Sequence, residues 1–139
     1  MSLLSREDLL KKQALKIEKV DLGDGDYVYV KQMTGRERDR FEASIIRQVR
    51  RGNRIDYEHD LEDFRSKMAV CTVCDEHGNL LLKQDDYKTL GDSMPAAKLE
   101  LIVEAAQRLN RISQEDRDNL LKNSDFIPAE DSSSGFAEN

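Results

Sequence analysis

Between Cys74 and Ser124 the chain is cut into short apolar runs by three sets of breakers: Asp75-Glu76-His77-Gly78-Asn79, Leu90-Gly91-Asp92-Ser93-Met94-Pro95 and Lys122-Asn123-Ser124. Gly and Asn reach positive φ at little cost at turns and helix ends, and Ser ahead of Pro marks a helix start. Their order spells turn, short helix, long helix and terminal helix. An architecture is thus specified before any chemistry is found.

The preceding half supplies the rest. Ser5 with Asp8 makes a capping-box variant, so residues 1–12 read as an arm or short helix. Ala14, Leu15, Ile17, Val20 and Leu22 lead into Gly23-Asp24-Gly25, followed by Tyr27-Val28-Tyr29-Val30. Asp-Gly between such runs predicts a β-hairpin over 13–32, with Val28 and Val30 on one face and Tyr27 and Tyr29 on the other. Thr34 and Glu37 form a second capping box, and Phe41, Ile45 and Val49 recur at helical spacing with Ile46 beside them. They predict a helix over about 34–51, ended by Gly52-Asn53, with Arg54 to His59 as a connection. Leu61, Phe64, Met68 and Cys71 predict a helix over 59–75, Leu80-Leu81-Leu82 a brief buried link, and Gln84 to Leu90 a short helix over 84–90 that Gly91 terminates. Ala97, Leu101, Ala105 and Leu109 predict the longest helix, 94–110, closed by Asn110, and Ser113 to Asp116 caps a last one over 113–122. From 127 to 139 the composition is that of a disordered tail. The expected fold is α+β and mostly α: an N-terminal hairpin followed by a bundle of four to five helices, forming one domain over 13–126.

Composition narrows function. The chain has 139 residues, 36% of them charged, 6% aromatic and no Trp, which suits one thin-cored helical domain better than a deep-pocketed enzyme and offers few rings for stacking bases. A net charge of −6 repels phosphate. No run approaches the roughly 20 apolar residues of a membrane span, and the first residues lack the pattern of a secretory leader, so the chain reads as cytoplasmic.

Candidate chemistry is sparse. Cys71-x-x-Cys74, with His77 after it and His59 before it, is half of a zinc motif, but on a helix shared with Phe64 and Met68 the thiols read as small core hydrophobes. Asp21, Asp24 and Asp26 have the wrong spacing for a calcium loop. The acid pairs Asp85-Asp86 and Glu115-Asp116 sit at helix starts, where the macrodipole accounts for them. No phosphate-binding loop, dinucleotide fingerprint or H-E-x-x-H is present, so no catalytic residue, metal ligand or cofactor is assigned. Arg36, Arg38, Arg40, Arg47, Arg50, Arg51 and Arg54 raise the alternative of a small nucleic-acid-binding regulator using one basic helix, yet Glu37, Asp39 and Glu42 interleave with them.

Several segments, taken in order, carry a family resemblance. They are Val28-Tyr29-Val30-Lys31-Gln32-Met33-Thr34-Gly35-Arg36-Glu37-Arg38-Asp39-Arg40-Phe41, Val73-Cys74-Asp75-Glu76-His77-Gly78-Asn79, and Leu90-Gly91-Asp92-Ser93-Met94-Pro95-Ala96-Ala97, then Ala105-Ala106-Gln107-Arg108-Leu109-Asn110-Arg111-Ile112-Ser113 and Lys122-Asn123-Ser124. Over about 14–124 the chain resembles the tail assembly chaperones of tailed bacteriophages, both siphoviruses and myoviruses. The resemblance implies a non-enzymatic protein of the host cytoplasm that binds the tape measure protein, and in longer forms the tail tube protein, during tail morphogenesis and is absent from the mature virion. It further implies a homo-oligomer with no nucleic-acid or membrane partner. On this reading Phe41, Ile45 and Val49 on one helix and Leu101, Ile102 and Leu109 on another are the candidate partner-binding residues. The same spacing more often marks core positions.

Overall fold

The computed structural model describes residues 1–112; the expected helix over 113–122 and the tail over 127–139 lie outside the described residues. After the short helix α1 (Arg6–Leu10), strands β1 (Ile17–Gly23) and β2 (Asp26–Lys31) form the expected hairpin. Asp24 and Gly25 have φ of 56° and 82°, the two left-handed residues that a type I′ connection requires. Val30 is fully buried and Val28 packs against the core beside it, while Tyr27 and Tyr29 meet edge to face at 5.7 Å on the other side.

Helix α2 (Gly35–Ser44) starts as its capping box dictates: the Glu37 amide donates to Thr34 Oγ1 at 3.2 Å, and the Thr34 amide donates to Glu37 Oε1 at 2.9 Å. It does not run to residue 51. From Ile46 the chain becomes strand β3 (Ile46–Arg51), turns at Gly52-Asn53, and returns as β4 (Arg54–His59) in a separate two-stranded antiparallel sheet. Gly52, at φ 66°, takes the first central position of the two-residue turn, where a type II′ connection calls for glycine. What looked like a helix terminator is therefore a hairpin tip, and the expected connection from Arg54 to His59 is its second strand.

Helix α3 (Phe64–Thr72) is shorter than the expected 59–75 and passes directly into strand β5 (Val73–Cys74), which pairs with β2 to complete a β1-β2-β5 sheet. Leu80-Leu81-Leu82 is not a buried link. The Leu81 amide bonds to the Val73 carbonyl at 3.2 Å, and Leu80 and Leu81 are left exposed while Leu82 packs on the core. A 3₁₀ turn (Gln84–Asp86) leads into α4 (Tyr87–Ser93), which continues through Gly91 instead of stopping before it. Helix α5 (Ala96–Leu109) begins after Pro95 and ends on Asn110 as expected.

The core lies where α2, α3 and α5 meet the three-stranded sheet, around Val30, Phe41, Ile45, Met68, Ile102 and Val103. The architecture is thus mixed α/β, with five strands in two antiparallel sheets among the described residues, and not the mostly helical bundle expected. The expectation failed over residues 46–59, where Gly52-Asn53 forms a hairpin turn and Ile55 and Tyr57 alternate with polar residues. No helix of the described residues is long and apolar enough to cross a membrane.

Candidate functional site

The six residues expected to share core and partner contacts fall in three environments. Phe41, Ile45 and Ile102 are 1–2% exposed. Phe41 meets Phe64 edge on at 5.6 Å, and Ile45 follows the last residue of α2. Val49 sits half-buried on β3, and Leu109 packs at the rim of the core. Only Leu101, 40% exposed, faces outward, so α5 keeps its broad apolar side for the interior. Ile45 and Val49 do not share a helical face, because the helix ends at Ser44, before both.

The arginine segment is divided in the same way. In β3–β4, Arg47 donates to Glu58 at 2.8 Å and Arg51 donates to the same carboxylate at 2.7 Å. Arg51 and Arg54 also lie 3.4 Å and 3.1 Å from Asp56. These residues share one face of the hairpin, since cross-strand pairs alternate sides. The Glu58 carboxyl is held below its usual range chiefly by the Arg47 hydrogen bond, with Arg51 adding to it. Three of the arginines that suggested a basic stripe are therefore paired within the hairpin. Arg38, on α2, bonds to Glu42 at 3.1 Å and to the Asn110 carbonyl at 2.9 Å.

The opposite face of this hairpin carries Ile46, Gln48 and Arg50 across from His59, Tyr57 and Ile55. Ile46, Ile55 and Tyr57 are large apolar side chains left exposed. A second such surface is the N-terminal arm, where α1 buries no residue and Leu3, Leu4, Leu9 and Leu10 are all exposed. The leucines were legible only as the end of a capped helix. The hairpin face had a signal in Gly52-Asn53 and in the alternation of Ile55 and Tyr57 after it, which the four-residue spacing of Phe41, Ile45 and Val49 overrode.

The cysteine reading resolves into packing. Cys71 and Cys74 are both buried with free thiols, and burial pushes the Cys71 thiol up to about 11. His77 lies in the turn after β5, where Asp75 accepts from the His77 amide at 2.8 Å and the Asn79 amide at 3.0 Å. Those bonds, the Asn79 amide first, hold the Asp75 carboxyl below its ordinary range. Among the described residues no three His, Cys, Asp or Glu side chains come together as a metal shell. Asp21 closes the first hairpin's turn by accepting from the Gly23 amide at 2.8 Å.

One buried polar cluster had no sequence signal. Lys31, 3% exposed, points its ammonium at Glu37 Oε1 and the Gln32 carbonyl. Burial opposes ionisation of Glu37, but the Lys31 and Thr34 bonds outweigh it and hold the carboxyl below its usual range. Beside it Asn110 accepts from the Met33 amide at 2.7 Å and donates to the Ala106 carbonyl at 2.9 Å, clasping the end of α5 to the β2–α2 corner. An open depression of about 390 Å³ lies over this corner, lined by Met33, Thr34, Arg38, Leu109 and Asn110. Its polar groups are engaged in caps and clasps, so it reads as a seam of the fold. Compared with protein-family models, with curated proteins and with solved structures, the chain matches none.

Proposed function

We propose that the chain is a non-enzymatic assembly chaperone of phage tails, which holds the tape measure protein in the host cytoplasm while the tail forms. The observation that supports this best is the apolar surface the fold leaves uncovered: the leucine arm, the Ile46, Ile55 and Tyr57 face of the hairpin, and Leu101 on α5. A protein that captures a long amphipathic helix needs apolar contact area on its outside, and interaction sites are where such area collects. The order of segments resembling the tail assembly chaperones supplies the class of client. Binding of the tail tube protein and self-association belong to the same proposal. The expected partner residues are revised accordingly, because Phe41, Ile45 and Ile102 could meet a client only if the core opened.

The test is coexpression with a tape measure protein of a tailed phage. That protein should move from the pellet to the soluble fraction when this chain is present and co-purify with it. An unchanged pellet would count against the chaperone reading. Capture through apolar contacts should also persist in high salt, whereas binding through phosphates would weaken steeply.

A further inference from the structure

Two apolar surfaces stay uncovered among the described residues. One is a projecting helix. Leu4 and Leu9 flank the Ser5–Asp8 capping box at the positions of a hydrophobic staple, so the segment encodes its own helix start. Yet α1 has 5 residues, well short of the roughly 12–15 at which isolated helices become marginal in water. A helix this short needs a surface to lie on, and in its own chain Leu9 and Leu10 remain 59% and 67% exposed.

The other is the flat face of β3–β4. A lone two-stranded hairpin is marginally stable, and this one is braced on one side only, by the Arg47, Arg51, Asp56 and Glu58 ladder. Its other side presents Ile46, Ile55 and Tyr57 to solvent. Charge supports their pairing. Arg50 lies across from Ile55 on the apolar face, and Glu7 lies one helical turn before Leu10. Neither side chain has an ion pair among the described residues.

We propose that the N-terminal arm of one copy docks on the β3–β4 face of a second copy, with Leu9 and Leu10 against Ile55 and Tyr57 and Glu7 beside Arg50. Each copy carries one arm and one receiving face, so two copies exchanging arms satisfy both and close the assembly. Reciprocity also answers the question of size. One short helix covers far less than the about 1,200 Å² of a stable specific interface, and two such contacts come closer to it. The pairing covers the arm and the hairpin face offered above to the client, so a client and a second copy compete for them, and the test below leaves the client out.

The test uses the full chain without any client. Leu9→Cys and Tyr57→Cys are placed in separate copies, mixed and oxidised with diamide; the native Cys71 and Cys74 are buried and do not compete. Disulfide dimers joining residue 9 to residue 57 should exceed same-site dimers several-fold, and a chain carrying both substitutions should cross-link between copies. Dominant same-site cross-links, a cross-link closed within one chain, or none at all would each overturn the proposal. Light scattering supplies the second measurement: the unmodified chain should be a dimer, and Tyr57→Asp or removal of residues 1–12 should each give a monomer. A dimer that survives both changes would likewise reject it.

Discussion

Lys31 shows how a charge becomes tolerable inside a small protein. It ends β2 at a point where α2 begins and α5 finishes, and all three elements turn polar groups toward it. Removing one member of a buried pair leaves the other uncompensated, which costs about 3–5 kcal/mol, while removing both is far milder. Glu37→Gln should therefore destabilise the chain by about 3 kcal/mol in urea unfolding, and adding Lys31→Met should recover much of that loss. The pH dependence has a definite sign. Because the folded state lowers the Glu37 pKa, its contribution is complete above the pKa of an unfolded glutamate and is lost as pH falls through the folded value. Glu37→Gln should flatten the acid limb of the stability curve. The cluster was illegible in the sequence because periodicity compares neighbours along the chain, whereas Lys31 is covered by Glu37 and by Asn110, which lies 79 positions away. The caps at Thr34 and Ser5 were legible because both partners of each bond lie within three residues.

The two hairpins differ in how they announce themselves. Asp24-Gly25 sits between runs with no competing helical spacing, whereas Gly52-Asn53 follows Phe41, Ile45 and Val49, which satisfy a helical stripe and a strand equally well until the turn type is weighed. Gly91 was misread for a related reason. Glycine in a helix costs roughly 1 kcal/mol against alanine, so it suggests an end, yet here its missing side chain lets α4 lie against the start of α3. A Cβ at this position would stand 3.2 Å from Ser66 Oγ, itself buried and bonded to the Asp63 carbonyl. Gly91→Ala alone should lower the melting temperature despite better helix propensity. In a Ser66→Ala background, where the nearest remaining Ser66 atom is the Cβ at 3.7 Å, the same change should raise it. Thermal unfolding of the four proteins decides the point.

Seen entire, the molecule divides its apolar side chains between an interior built by α2, α3 and α5 and an exterior concentrated on the arm and the second hairpin. Adjacent residues on α5 separate the two populations. Ile102→Ala should cost about 2–5 kcal/mol, as core truncations do, whereas Leu101→Ala should stay within about 0.5 kcal/mol. If Leu101 also serves the client, its substitution should weaken capture without moving the unfolding midpoint. The clasp at Asn110 bears on how this shape is reached. Its bonds to Met33 and Lys31 span 77 and 79 positions, and the Arg108–Glu18 pair spans 90. Contacts between such remote parts of a chain slow the search for the native state. The first hairpin and the last described helix therefore cannot complete each other until residue 110 is present, and a chain interrupted before it would hold its β2–α2 corner open, with Lys31 wet.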